Sequence, residues 1–186
     1  MNRTSLIFVI LLFLFACKND EITVDPFAIE TLSIGMLTDS TQVKDLDMVF
    51  AQDSITKYIG GDEFIGDIND FQVYDTSGKL LLELTPREDL DSTSTIKTVR
   101  ILDSRFSTDK GLNNKSLFGT IKSQYTISSI QNTLRNVIVS IDDINVYFTI
   151  DKNKLPAAIK FETADTITID QIPDNAVIKD LYIQWY

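Results

Sequence analysis

The side chains of this sequence with the most chemical potential are one cysteine and 27 acidic residues, because the 186-residue chain contains no histidine. Histidine is the commonest general base, and serine and cysteine nucleophiles and most zinc sites also use it. Serine–lysine catalysis remains open, but the companion motifs of such enzymes are absent. The sequence therefore favours a non-enzymatic role and predicts no catalytic residue and no cofactor.

The segment 61–67 has the glycine spacing of a phosphate-binding loop but carries Asp67 where the lysine belongs. Such a loop would repel phosphate, whereas its oxygens are ligands that calcium prefers. The calcium candidates are Asp62, Glu63, Asp67 and Asp70. The EF-hand spacing is missing, so a solvated acidic loop is the alternative. The many carboxylates also leave glycoside hydrolysis open without marking any pair.

Four aromatic residues near the end of the chain form a second candidate site. Tyr147, Tyr182, Trp185 and Tyr186 are typical of an aromatic binding surface. The alternative is that these side chains pack in the core or across neighbouring strands.

Cys17, the only cysteine, follows a short basic segment and an apolar run from Leu6 to Phe15. The run is about half of the roughly 20 residues that a membrane-spanning helix needs, so it is typical of a signal peptide. The residues 14–17 resemble the lipobox of bacterial lipoproteins, whose cysteine receives a diacylglyceryl group. The resemblance implies a signal peptide at 1–16, lipidation at Cys17 and a tether at 17–27. The alternatives are an uncleaved helical anchor and a soluble secreted product.

Lys18 follows the cysteine, where an aspartate commonly retains lipoproteins at the inner membrane. We therefore predict a lipid anchor in the outer membrane. A lysine followed by acids is also similar to the surface-export signal of some Gram-negative lipoproteins, with a plain polar tether as the alternative.

Removing residues 1–16 takes Arg3 from the 17 basic residues and leaves all 27 acids, so the mature chain would have a formal charge of -11. Nucleic-acid-binding proteins present basic surface, so a nucleic-acid partner is not expected.

Residues 28–186 are predicted to form a single α+β domain, mainly an antiparallel β-sheet with two or three short helices. Helices are predicted at 40–52 and 115–125, and alternating apolar residues predict strands between and after them. A likeness between 68–74 and 141–147 suggests two similar helix-plus-hairpin halves, 28–104 and 105–186. The segments 32–36 and 157–161 are predicted as strands.

The mature chain resembles a family of small Gram-negative envelope lipoproteins under envelope-stress (sigma-E) control. The resemblance covers most of residues 30–186 and implies the α+β fold and the envelope location, but no active site. Cysteines that some members carry in the second half are missing here. The matching features, besides the lipobox, are Ile34-Gly35, Gly78-Lys79, Leu84-Thr85-Pro86, Ile96 to Leu102, Gly111 to Tyr125, Ile172 to Ala176 and Trp185.

Three functions stay open at this point, the third of which is a purely structural tether. The first is a lipid-anchored envelope protein with a non-enzymatic binding or interaction role at the outer membrane, with a protein or a glycan as its partner. The second is a carboxylate-based hydrolase or a calcium-dependent glycan-binding lipoprotein.

Overall fold

The computed structural model describes residues 24–60, 68–160 and 167–186, and these ranges contain an eight-stranded antiparallel sheet, a two-stranded hairpin and three short α-helices. The predicted fold class, α+β with a mainly antiparallel sheet, is confirmed. The strands are β1 Ser33–Ile34, β2 Leu37–Thr38, β3 Ser54–Gly60, β4 Ile68–Tyr74, β5 Leu80–Pro86, β6 Ile96–Ile101, β7 Ser129–Asn132, β8 Asn136–Ile141, β9 Val146–Asp151 and β10 Asp180–Gln184. The helices are α1 Leu46–Val49, α2 Phe118–Gln124 and α3 Ala157–Lys160.

The large sheet consists of two four-stranded meanders that meet at their last strands. Its spatial order is β3-β4-β5-β6-β10-β9-β8-β7, and every neighbouring pair is antiparallel. Helix α1 precedes the first meander and α2 precedes the second. Each half is therefore a short helix followed by four strands, as the sequence suggested, while the domain boundaries stay a prediction.

The two similar sequence segments, 68–74 and 141–147, do not occupy equivalent positions in the two halves of the structure. The first segment is the whole of β4, whereas the second runs from the end of β8 through a 3-10 turn into β9. Asn145 has a φ of +56° at the end of that turn, a backbone conformation that asparagine tolerates better than most residues. The order of strands makes β8 the counterpart of β4. The predicted alignment of 68–74 with 141–147 between the two halves is therefore wrong.

One face of the sheet is packed into a single apolar core that spans both halves. Along β8, Val137, Val139 and Ile141 are buried and alternate with half-buried residues, as expected for a sheet with one covered face. Helix α2 covers part of this face, and its Phe118 ring lies 6.5 Å from the ring of Phe148 on β9. Both rings are fully buried, so the core side of the second meander depends on this contact.

Two segments that were predicted as strands fold differently. Residues 33–38 form the hairpin β1–β2, because Gly35 turns the chain with a φ of +54°. Ile34 and Leu37 then reach the core, while Leu32 and Met36 are exposed. The segment Ala157–Lys160 is the helix α3, and its Ile159 is buried.

An ion-paired cluster fixes the end of the sheet where β5 begins and β6 ends. The carboxylate of Asp103 is buried and accepts hydrogen bonds from Lys79 at 2.7 Å and from Arg105 at 3.0 Å. Arg105 also binds Asp75 at 3.0 Å. Burial alone would raise the pKa of Asp103, but the hydrogen bonds from Arg105 and Lys79 outweigh it and hold that pKa well below 3.8. Hydrogen bonds from the Ser77 hydroxyl and the Lys79 backbone lower the pKa of Asp75 to about 2.

This cluster makes folding sensitive to acid. Because both pKa values are depressed in the folded state, the stabilisation is complete above about pH 4 and is lost as the pH falls towards 2. Asp103→Asn should lower the free energy of unfolding at pH 7 by about 2 kcal/mol and flatten its fall between pH 4 and 2, measured by urea unfolding. Asp143→Asn, at an exposed position, is the control. Equal acid sensitivity in the wild type and Asp103→Asn would contradict this assignment.

Alanine substitutions at two glycines, Gly35 and Gly78, test whether the turn of the β1–β2 hairpin requires glycine. A Cβ atom on Gly35 would lie 2.3 Å from the Pro26 carbonyl oxygen, whereas one on Gly78, with a φ of +79°, would meet nothing within 4 Å. Left-handed backbone alone costs an alanine roughly 1–2 kcal/mol. Gly35→Ala should therefore destabilise clearly more than Gly78→Ala in urea unfolding, and equal losses would show that the approach to Pro26 is not a constraint.

Candidate binding face

The solvent side of the large sheet carries one aligned row of side chains that crosses all eight strands. We call this side the open face. None of the eight residues is buried, and a row over eight strands is roughly 30 Å long. In spatial order the row is Thr56, Gln72, Glu83, Arg100, Tyr182, Tyr147, Ser140 and Ser129.

The centre of the row is a charged network around Arg100. Its guanidinium donates to Glu83 on β5 at 2.9 Å and to Asp180 on β10 at 2.7 Å. Burial alone would lower the pKa of Arg100, but the hydrogen bonds to Asp180 and Glu83 raise it above its ordinary value. Asp180 also accepts from the Thr149 hydroxyl at 3.2 Å. The network therefore links the two meanders on the open face, because Glu83 belongs to the first and Asp180 to the second.

A stacked pair of tyrosines lies beside this network. The rings of Tyr147 and Tyr182 are 4.7 Å apart and nearly parallel, at 8°. The Arg100 guanidinium lies 6.0 Å from the Tyr182 ring centre, within cation–π range. Burial raises the pKa of Tyr147 to about 12 and also raises that of Tyr182. Both phenols therefore stay protonated at neutral pH and remain hydrogen-bond donors.

Three of the four predicted aromatic residues lie on the open face or at its edge. Tyr147 and Tyr182 are in the row, and Tyr186 is 91% exposed. For Trp185 the alternative, packing in the core, is confirmed: it is buried, follows Leu181 and Ile183 on the core side, and donates its indole N–H to the Thr31 carbonyl at 3.1 Å. The alternation of apolar residues along β10 was the signal for this placement.

An open cleft of about 240 Å³ lies at the corner of the open face formed by β8, β9 and β10. Its polar lining combines amides with hydroxyls, and Asp142 is the acidic residue among the described lining residues. Ile138 and Val146 supply the apolar part. The amide and hydroxyl residues are Gln131, Ser140, Asn145, Tyr147, Gln184 and Tyr186. The cleft therefore offers hydrogen-bond donors and acceptors next to aromatic rings.

Four of the sequence-predicted site residues lie outside the described residues. This holds for the lipidation candidate Cys17 and for the calcium candidates Asp62, Glu63 and Asp67. Asp70 is on β4, where its carboxylate accepts from the Thr85 hydroxyl at 2.7 Å, and burial raises its pKa. Within the described ranges, no group of three or more metal-binding side chains comes together.

Sequence reasoning missed the Arg100 network. The available signal was the position of Arg100 between the apolar residues Val99 and Ile101, because this alternation places Arg100 on the outer face of the strand. Its partners Glu83 and Asp180 are 17 and 80 residues away in sequence, and only the strand order brings them together.

The described part of the chain contains no helix that is long and apolar enough to cross a membrane. No protein-family model matches the sequence, and no curated protein matches it. Among solved structures, the fold is similar to that of the uncharacterized protein YfeY from Escherichia coli. The two chains are 15% identical, with a TM-score of 0.58, and the match covers 87% of this chain and 100% of YfeY. This likeness establishes a shared fold.

The Arg100 network can be tested by a stability measurement. Arg100→Met leaves Glu83 and Asp180 without their shared cation, and we expect a loss of about 1 kcal/mol in urea unfolding, since the site is partly exposed to water. Arg87→Met, whose guanidinium contacts Thr95 in an exposed loop, is the matched control and should change stability by less than about 0.5 kcal/mol. Equal effects of the two substitutions would argue against a role for Arg100 in joining the meanders.

Proposed function

We propose that this chain is a lipid-anchored protein of the Gram-negative outer membrane that binds an envelope partner through its open face and does no catalysis. The observation that carries this proposal is the continuous row of half-buried and exposed side chains across both meanders, ending at a cleft with tyrosines. Aromatic side chains with polar tips are enriched at binding surfaces. A face of this width provides far more contact area than a small active-site pocket would need.

The anchor part of the proposal rests on the apolar segment and lipobox before Cys17. Phe27, near the start of the described residues, packs edge-on against Phe106 with ring centres 5.1 Å apart. A ten-residue extended segment spans at most roughly 35 Å, so the chain between Cys17 and Phe27 would hold the domain close to the membrane surface.

The non-enzymatic part rests on the lack of histidine and on the use of Cys17 for the anchor. The central carboxylates of the open face, Glu83 and Asp180, are both paired with Arg100. A carboxylate held in an ion pair is a poor general acid, because the cation keeps it ionised.

The anchor is tested by the intact mass of the protein extracted from membranes of a Gram-negative host. The expected mass begins at Cys17 and includes two or three acyl chains, and Cys17→Ser should abolish both the cleavage and the acylation. A mass that retains residues 1–16, or that lacks lipid, would contradict the anchor.

The binding face is tested by photo-crosslinking in living cells. A photoreactive phenylalanine is placed at Thr85 or Gln131, exposed positions on the open face, and at Met48 or Ser123, exposed positions on helices α1 and α2 of the covered side. We expect discrete crosslinked species from the first pair and none from the second. Crosslinks from the helix positions alone would show that the partner binds the other side of the molecule.

A further inference from the structure

We infer that the cleft at the β8–β9–β10 corner binds one ring of a neutral saccharide chain. This inference rests on the proposed function, because it names the chemical class of partner for one part of the open face. It assigns a role to Gln131, Gln184 and Tyr186, which the sequence did not mark as a group.

The hydrogen-bonding groups of the cleft fit sugar hydroxyls. A hydroxyl both donates and accepts, and each side-chain amide offers two donors and an acceptor at fixed angles. Gln131 and Gln184 bring two amides to the cleft, and Ser140 adds a hydroxyl. The Asn145 amide is also in the lining, but its nitrogen already donates to the Thr31 carbonyl at 3.1 Å. Such convergent polar groups fix the orientation of a small ligand.

The charge of the cleft excludes anionic ligands. Asp142 carries a negative charge, and none of the described lining residues is lysine or arginine. Phosphate, sulfate and uronate groups are bound by cationic side chains, and the nearest arginine of the row, Arg100, is already paired with two carboxylates. A ligand without negative charge is therefore favoured.

The tyrosines supply apolar ring surface for the C–H face of a sugar. Tyr147 is held in place by its stacking on Tyr182, so little side-chain entropy is lost when a ligand binds. Its hydroxyl stays a donor because burial keeps its pKa far above neutral pH. Tyr186 lines the cleft and is highly exposed, so its ring is accessible to a ligand.

The size of the cleft indicates a single ring of a longer chain. Its volume of about 240 Å³ is below the roughly 300–1,000 Å³ of pockets for drug-sized ligands. Tyr147 belongs both to the cleft lining and to the row across the sheet, so the cleft continues into the open face at this residue. The neighbouring rings of a saccharide would therefore lie along the open face.

The test is saturation-transfer difference NMR on the full-length protein, purified in a detergent without a sugar headgroup. The neutral probes are N-acetylchitotetraose and maltotetraose, and dextran sulfate is the anionic comparison. The variants Tyr186→Ala and Gln184→Ala remove one ring and one amide from the cleft. Tyr186→Phe keeps the ring of Tyr186 and removes only its hydroxyl. The control is Gln124→Ala, which removes an amide from an exposed position of helix α2 on the covered side.

We expect at least one neutral probe to bind, and Tyr186→Ala and Gln184→Ala each to weaken that binding at least roughly five-fold, the value of one ordinary hydrogen bond or more. Gln124→Ala should stay within about two-fold of the wild type, and Tyr186→Phe should bind more tightly than Tyr186→Ala because it keeps the ring. Circular dichroism and the melting temperature check that each variant is folded.

Three results would overturn the inference: no binding of either neutral probe to the wild type, equal binding by all variants, or a preference for dextran sulfate. If a protein is crosslinked at Gln131 and no saccharide binds, the saccharide inference is wrong, but the proposed binding role of the open face still holds. If neither Thr85 nor Gln131 on the open face gives a crosslink, the proposed function itself is contradicted.

Discussion

Strands β6 and β10 pair with each other at the middle of the sheet, and both sides of the molecule depend on that pairing. On the core side, Leu181 lies opposite Ile101 and Ile183 lies opposite Val99, and all four side chains are buried. On the solvent side, Arg100 lies opposite Tyr182. Each meander alone would present an exposed edge strand at this position, and unpaired edges invite aggregation. The pairing removes both edges and gives the two halves one core and one outer face.

The two halves contribute different chemistry to the open face. Charged side chains gather where the meanders meet, with Arg100 held between Glu83 and Asp180. The second meander carries the stacked tyrosines and the amide-lined cleft. These charges are paired with one another inside the protein. They therefore stabilise the sheet more than they contribute to recognition of a partner. The neutral groups of the cleft lie together on β7 to β10, with the carboxylate of Asp142 beside them.

The strands were the most predictable part of this fold. Regular alternation of apolar residues, as in Val137, Val139 and Ile141, follows directly from the two-residue repeat of a strand. Prediction failed where a single residue redirects the chain: Gly35 converts an expected strand into a hairpin, and Asn145 ends a turn inside an expected repeat. At Trp185 the side-chain type left a binding surface open, and the strand alternation correctly indicated the core.

The proposed binding face could not be derived from the sequence, because it depends on strand order. Arg100 and Tyr182 are neighbours only because the last strands of the two meanders are adjacent. The amides of Gln131 and Gln184 come together only when β7 and β10 are both in place beside β8 and β9. No local pattern specifies such pairings, since antiparallel strands of similar composition can pair in many orders.

The central claim is that the pairing of β6 with β10 makes both meanders one cooperative unit with a continuous outer face. Native-state amide hydrogen exchange, measured residue by residue at increasing urea concentrations, tests it most directly. We expect the amides of β6 and β10 to be among the slowest to exchange, and those of β5 and β9 to converge on the same opening free energy. A lower opening free energy for one whole meander, with the other still protected, would show that the halves unfold independently and would contradict the account.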